Sequence, residues 1–198
     1  MQKKGFFIRF FVIIALVIIT ACAPTTLKSV WRDDAYHGGY LKKVLIIAVD
    51  RNLTIKALLE DGFVELLKAG GTEAVPSYRI FSEEENIDKR VIASKVKELQ
   101  VDALLIATLK DVADTGIYET YPTFIEEGGG YYGYYLQCCQ IVSLGRNVVI
   151  ETKIFDAKYD RLIWSAVTET IFEGSVEEVI RSFVPVIITE LHGSTLLQ

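Results

Sequence analysis

The stretch Val44-Leu45-Ile46-Ile47-Ala48-Val49 decides the fold. Consecutive apolar residues without polar alternation are typical of a strand that is buried on both faces of a sheet. An apolar stripe at helical spacing follows and predicts a helix over about residues 54–69, with Thr54 as its N-cap. Gly70-Gly71 comes directly after this stripe and is expected to end the helix.

Two further strands and a second helix continue this order. Residues 74–78 predict a short strand, and Pro76 indicates a sheet edge or a strand end because proline cannot donate a ladder hydrogen bond. Ser82-Glu83-Glu84-Glu85 has the spacing of a capping box, and the helix that it starts is expected to end at about Gln100. Residues 101–109 then predict another buried strand. Strands that alternate with helices favour a largely parallel sheet.

The C-terminal part of the chain has a different pattern. Residues 136–144 predict a strand, and residues 148–155 and 162–169 predict the two arms of a hairpin. A last helix is expected from Ser175, which forms a capping box with Glu178. The predicted fold class is therefore α/β: a single domain with a mixed sheet of five or six strands and three main helices, parallel in its N-terminal half and closed by an antiparallel C-terminal hairpin.

The N-terminus has the layout of a secretory signal peptide. Basic residues Lys3, Lys4 and Arg9 come first, and residues 10–19 form an uninterrupted apolar run. A transmembrane helix needs about 20 apolar residues, so this run is too short to span a bilayer. Residues 1–21 are therefore interpreted as a signal peptide.

The signal peptide ends in Ile19-Thr20-Ala21-Cys22, which resembles the bacterial lipobox. The resemblance implies that the chain is cut before Cys22 and that this cysteine is acylated, which anchors the protein to a membrane. The alternative is an ordinary signal peptide with a chance cysteine. Ala23, in place of an aspartate, favours the outer membrane, with the protein facing the periplasm. Residues 22–41 are predicted to be a lipidated tether, and residues 42–198 the periplasmic domain.

The charge balance argues against nucleic acid as a partner. The chain has 21 basic and 26 acidic residues, and removal of residues 1–21 would change its net charge from −5 to −8. An acidic domain does not attract a polyanion. No cofactor is expected either, because no cofactor motif occurs in the structural context that such a site requires.

The insert, defined as residues 110–137, is the most unusual part of the predicted domain. Tyrosine supplies a large contact area with a polar tip, and long loops in compact domains are often functional. Three interpretations remain open: a flexible or partly packed loop, a surface for partner binding or self-association, and insertion into a membrane interface. The candidate partner surface consists of Tyr118, Tyr121, Phe124, Tyr131, Tyr132, Tyr134 and Tyr135.

Cys138 and Cys139 are adjacent in a chain that is expected to face an oxidising compartment. One of them can be buried as a small apolar side chain, since neighbours in a strand point to opposite faces. The alternatives are a disulfide between the two residues or an intermolecular bridge. A second pair of zinc ligands is not recognisable in the sequence, so no metal site is predicted.

Catalytic motifs are weak in this sequence. Residues 128–133 match G-x-G-x-x-G literally, but tyrosines follow them where a dinucleotide site needs a helix. His37 and His192 are the only histidines, and neither belongs to a recognisable catalytic constellation. Glu126-Glu127 is interpreted as a solvated loop, with a cation site as the less favoured alternative. No catalytic residue is therefore predicted.

Several segments together resemble a known group of proteins. These are the lipobox, the strand that begins at Val44, and the run from Val149-Ile150-Glu151-Thr152 to Leu162-Ile163-Trp164-Ser165-Ala166. Over residues 42–192 the chain is similar to small bacterial envelope lipoproteins of unknown function. It more distantly resembles the α/β periplasmic domain of the TolB N-terminal region, the curli secretion lipoprotein CsgG and the penicillin-binding-protein activator LpoB.

This resemblance implies work by contact, because members of the group bind envelope proteins or oligomerise. We therefore expect a non-enzymatic accessory or assembly factor whose partners are the membrane, through the lipid anchor, and envelope proteins or further copies of this chain. The alternative is an envelope module that binds a small ligand or polymer. An enzyme is the third choice.

Overall fold

A computed structural model describes residues 25–81, 89–113, 147–171 and 175–198 of the chain. These residues form one six-stranded sheet with parallel and antiparallel strands, together with three helices. The predicted α/β fold class, with a mixed sheet and three helices, is confirmed.

The sheet has the strand order β1-β6-β5-β4-β2-β3. Its strands are β1 (Thr25–Arg32), β2 (Lys43–Val49), β3 (Glu73–Pro76), β4 (Ala103–Ala113), β5 (Asn147–Asp156) and β6 (Arg161–Ile171). Its helices are α1 (Leu53–Ala69), α2 (Lys89–Leu99) and α3 (Val176–Gly193), and one turn of 3-10 helix spans Ser77–Arg79.

Strand β2 pairs in parallel with β3 and β4, whereas β4, β5, β6 and β1 form an antiparallel series. Pro76 lies in β3 at one edge of the sheet, as predicted from its missing N–H group. The two halves of the sheet therefore have the predicted order, with the parallel half first and the hairpin β5–β6 after it.

The expected tether over residues 22–41 differs from the structure at Thr25–Arg32, which forms β1 and pairs with β6. Seven of the eight residues of β1 are exposed, so the strand has no alternation of apolar and polar residues that would have revealed it. The sequence of this segment indicates a strand only through its threonine, valine and tryptophan residues, which favour strands. The strand predicted at 136–144 lies outside the described residues.

The helix ends follow their capping residues closely. Helix α1 is capped by Asn52 and not by Thr54, because the Asn52 side chain accepts hydrogen bonds from the backbone N–H groups of Thr54 and Ile55. The left-handed φ of +86° at Gly71 ends α1 where predicted. Ser175 caps α3, also as predicted. The predicted capping box of α2 lies outside the described residues.

One core cluster fills the space between the sheet and helices α1 and α3. Phe63 and Phe183 meet edge to face with ring centroids 5.7 Å apart. Trp164 is fully buried in this cluster, and its Nε1 donates a hydrogen bond to the Ser194 hydroxyl at 3.2 Å. Gly62 allows α1 to approach α3, since a Cβ there would lie 3.0 Å from Ile180 Cγ2.

A second cluster lies on the opposite face of the sheet, under α2. Ile92 and Val96 of α2 pack against apolar residues of β2, β4 and β5. The cluster ends at the β5–β6 hairpin, where Leu162 is partly buried, and it includes no residue of β1. Among the described residues, α2 covers this face only over its parallel half, and the antiparallel half carries the charged residues Glu151 and Lys153 beside Val149 and Val167.

Glu60 is a buried residue of α1 that is hydrogen-bonded to the end of β2 and to the 3-10 turn. Its carboxylate is fully buried and accepts hydrogen bonds from Ala48 N (2.9 Å), Ser77 Oγ (2.7 Å) and Tyr78 N (3.0 Å). Burial nevertheless raises the pKa of this carboxyl above its ordinary value of 4.5, against the opposing effect of these donors. The folded state therefore binds this proton more tightly than the unfolded state does.

The pH dependence of stability tests this assignment. Because the folded state binds the Glu60 proton more tightly, the contribution to stability is largest below pH 4.5 and is lost as the pH rises through the folded-state pKa. A Glu60→Gln variant does not titrate. The free energy of unfolding of the wild type, relative to this variant, should therefore decrease between about pH 4 and pH 7. Urea denaturation at both pH values measures it.

Two further variants make the test specific. Glu60→Ala leaves two buried donors and the partly buried Tyr78 N–H without their acceptor and should lower the free energy of unfolding by about 1–3 kcal/mol. Glu65→Gln, at an exposed position of the same helix, should change stability little. A pH-independent difference between the wild type and Glu60→Gln would contradict the assignment.

Candidate contact surface

Strand β1 is an edge strand of the described sheet and carries exposed apolar side chains. Leu27, Val30 and Trp31 are 37%, 39% and 49% exposed, which makes them three of the six large hydrophobic residues exposed in the described part of the chain. Edge strands present backbone N–H and C=O groups to a possible partner strand, and proteins usually protect them. We define the β1 edge as these three residues together with the outer backbone of Thr25–Arg32.

The first residue of the β1 edge, Thr25, is held in place by contacts with β6 and α3. Thr25 is buried, and its hydroxyl lies 2.7 Å from Thr170 Oγ1 and 3.0 Å from Ser182 Oγ. The backbone of Thr25 pairs with Thr170, and Lys28 forms an ion pair with Glu169 of the same strand, β6. Both the sheet and helix α3 therefore hold the start of β1.

The basic residues of β1 limit which strands can pair with the β1 edge. Lys28 and Arg32 are exposed basic residues within an eight-residue strand that has no acidic residue. Charged residues, and lysine above all, discourage unspecific pairing between edges, because like charges in opposing strands repel. The β1 edge thus combines apolar contact area with two exposed basic side chains.

A cluster of charges lies on the antiparallel half of the sheet face. Glu151 of β5 accepts from Lys110 Nζ at 2.9 Å and from Lys153 Nζ at 3.1 Å, with only 16% of its side chain exposed. Burial lowers the pKa of Lys153, and the hydrogen bond and charge of Glu151 oppose that shift. Glu151 thus compensates two ammonium groups, an arrangement that stabilises the sheet face and requires no ligand.

Most of the predicted site residues lie outside the described residues. These are Cys22, Tyr118, Tyr121, Phe124, Tyr131, Tyr132, Tyr134, Tyr135, Cys138, Cys139, Glu126-Glu127 and the glycine motif at 128–133. The predicted insert of residues 110–137 begins too early, since 110–113 belong to β4. Ala113 pairs with Asn147, so the end of β4 and the start of β5 are neighbours in the sheet.

Both histidines are exposed. His37 is exposed between β1 and β2, and His192 is exposed in the last turn of α3. Tyr36, in the same segment as His37, is half-buried against the first core cluster. Strand β1 could not be recognised from the sequence, because its apolar residues are exposed and show no burial pattern.

The described residues lack the features of a metal site and of a membrane-spanning helix. They contain no group of three metal-ligating side chains and no helix that is both long and apolar enough to cross a bilayer. A cavity of about 280 Å³ lies where the C-terminal end of α2 meets the β5–β6 turn, beside Lys97 and Lys158. Ligand pockets usually measure about 300–1,000 Å³, so its size does not favour the ligand-binding alternative.

No protein-family model and no curated protein matches the chain. Among solved structures, a PelC dodecamer from Paraburkholderia phytofirmans is 13% identical with a TM-score of 0.48, covering 88% of this chain and 99% of that one. Lipoprotein GNA1162 from Neisseria meningitidis is 11% identical with a TM-score of 0.41, covering 77% of this chain and 98% of that one. Likenesses with such low scores establish neither a family nor a function.

The charged cluster gives a prediction for stability. Glu151→Gln keeps the side-chain shape but removes the charge that compensates Lys110 and Lys153. The free energy of unfolding should fall by about 1–3 kcal/mol at pH 7, the range for hydrogen bonds to charged groups. The pKa of Lys153 should fall further below 10.5, because Glu151 opposes the effect of burial. The deficit should therefore shrink as the pH rises towards 10.5.

Chemical denaturation at pH 7 and at about pH 9.5 measures this deficit. The matched control is Glu98→Gln, which removes an acid from an exposed ion pair with Lys95 and should have little effect. Equal effects of the two substitutions, or a deficit that grows with pH, would refute the role assigned to Glu151.

Proposed function

We propose that this protein is an outer-membrane lipoprotein, anchored through Cys22 and facing the periplasm, that acts as a non-enzymatic accessory or assembly factor through protein–protein contacts. The observation that carries the proposal is the β1 edge: exposed apolar residues on an unpaired edge of the described sheet, in a strand that starts three residues after Cys22. The lipid anchor and the contact surface would thus be adjacent in the chain.

The β1 edge suits a partner that adds a strand. In such complexes, backbone hydrogen bonds supply much of the affinity, and side chains on alternate faces supply specificity. Val30 pairs with Ala166 and Trp31 with Ser165, so the two large side chains point to opposite faces of the sheet. An added strand would therefore be flanked by an apolar contact on each face.

The aromatic insert provides a second surface for the same function. Its tyrosines and Phe124 remain the proposed partner surface, for binding envelope proteins or further copies of this chain. The two strand ends that flank residues 114–146, Ala113 and Asn147, lie at the end of the sheet where β1 begins, because Thr25, Thr170, Val148 and Val112 are successive neighbours across the strands. Both proposed surfaces are therefore attached at one end of the domain.

Lipidation is tested by metabolic labelling with palmitate. The wild-type protein should incorporate label and co-fractionate with the outer membrane, whereas Cys22→Ala should do neither, because the acylated thiol is absent. Cys138→Ala and Cys139→Ala are the controls and should still be labelled. Label that persists in Cys22→Ala would exclude the lipoprotein assignment, and label in the inner-membrane fraction alone would exclude the outer-membrane location.

The contact surface is tested by photo-crosslinking in cells. Benzoylphenylalanine placed at Val30 should give a specific adduct, because this side chain lies within the proposed interface. The matched control is Tyr159, which is 68% exposed in the β5–β6 turn at the far end of the domain and should give none. Mass spectrometry of the adduct distinguishes another envelope protein from a second copy of this chain.

A third probe at Tyr132 separates the two surfaces. Adducts from Tyr132 but not from Val30 would assign the contact to the insert instead of the β1 edge. Absence of adducts from both positions, with normal accumulation of the protein, would contradict a function by protein contact. Adducts of equal yield at Val30 and Tyr159 would show that the contacts are unspecific.

A further inference from the structure

The membrane-facing side of the domain follows from the length of chain between Cys22 and β1. This inference rests on the proposed lipidation of Cys22. Only Ala23 and Pro24 separate Cys22 from Thr25. Three steps of extended backbone span at most about 11 Å. A flexible tether over residues 22–41 would leave the domain free to turn relative to the membrane. The link from Cys22 to Thr25 is shorter than the domain itself and does not leave that freedom.

The start of β1 cannot move away to lengthen the link. Thr25 is held by backbone pairing to Thr170 and by side-chain contacts of 2.7 and 3.0 Å to Thr170 and Ser182. Detaching this strand end would expose a buried threonine cluster and break its hydrogen bonds. The anchor therefore acts directly on the sheet and on α3.

Helix α3 runs along β6 and reaches beyond Thr25. Ser182 contacts Thr25 beside one end of β6, and Ser194 contacts Trp164 near the other end. Glu177 precedes Ser182 by five residues, so the first turn of α3 extends about 8 Å further than Thr25 at 1.5 Å per residue. This distance is comparable to the length of the link to Cys22, which places Glu177 close to the level of the lipid anchor.

We propose that the end of the domain formed by Thr25 and the first turn of α3 lies directly on the phospholipid headgroups, with the strands directed away from the membrane. The name anchor end is used for these residues. The β5–β6 turn is then the distal end, since β5 runs about 27 Å from Val148 to Asp156. The aromatic segment 114–146 is attached at the anchor end.

The competing orientation places the β1 edge itself on the membrane, with Leu27, Val30 and Trp31 in the interface. Two observations disfavour it. The unpaired backbone groups of an edge strand are costly to bury in lipid. In addition, Val30 and Trp31 point to opposite faces of the sheet, so a flat surface cannot bury both of them fully. The upright orientation leaves the whole β1 edge accessible to a partner.

The test measures the depth of three exposed sites in the lipidated, full-length protein. A clickable amino acid at Glu177, Trp31 or Tyr159 carries a fluorophore, and the protein is reconstituted in vesicles of phosphatidylethanolamine and phosphatidylglycerol with nitroxide on the headgroups. Quenching should decrease in the order Glu177, Trp31, Tyr159. It should be at least about three-fold stronger at Glu177 than at Tyr159, because strand length separates these sites by more than about 27 Å.

A linker variant is the matched control. Insertion of about 20 glycine and serine residues between Ala23 and Pro24 gives a flexible chain with a mean span of about 25 Å, so the quenching gradient should be lost while membrane binding persists. Quenching at Trp31 as strong as at Glu177 would overturn the upright orientation in favour of the edge-on one. Equal quenching at Glu177 and Tyr159 without the linker would overturn any fixed orientation.

These outcomes separate the inference from the proposed function. Protein that carries palmitate and binds vesicles, but shows no gradient, contradicts only the orientation. Protein that carries no palmitate and does not bind vesicles contradicts the lipoprotein assignment and the orientation together.

Discussion

Strand β4 is the element on which both halves of the sheet depend, because it pairs in parallel with β2 and antiparallel with β5. Its alternate residues also supply both core clusters: Leu104 and Ile106 face α2, whereas Leu105 and Ala107 face α1 and α3. A central strand that is buried on both faces transmits the position of one helix layer to the other, since interiors are close-packed. The antiparallel half, with β1 at its edge, is thereby held in a fixed relation to the parallel half.

The buried elements could be predicted from the sequence because burial leaves a periodic apolar pattern. Strand β2, helix α1 and helix α3 were all identified in this way, with ends close to those predicted. Strand β1 has exposed residues on both faces, so its stability comes from pairing with β6 and not from a pattern of its own. The choice of Asn52 over Thr54 as the cap depended on local backbone conformation, because asparagine and threonine are both residue types that cap helices.

The parts of the candidate site divide in the same way. Some are recognisable from adjacent residues, and others depend on contacts between residues that are far apart in the chain. Cys22 and the aromatic insert are recognisable from adjacent residues, and they remain predictions from sequence. The β1 edge depends on the contact of Thr25 with Thr170, two residues that are 145 positions apart in the chain. No local pattern encodes such a pairing in a strand without alternation. The same contact also changes the predicted tether into a short link, and this change has the larger consequence for function.

The proposed short link from Cys22 to the domain would make association easier for one class of partner. Two proteins lose rotational freedom when they bind, and this loss is part of the cost of every complex. A domain that is held at its anchor end has already lost most of that freedom through its attachment to the bilayer. A partner in the same membrane then meets the β1 edge at a constant height and in a constant direction, which raises the effective concentration of the contact surface. A partner that diffuses freely in the periplasm gains less, because its own orientation remains unrestricted. The upright orientation therefore favours partners that are themselves attached to the same membrane, including further copies of this chain.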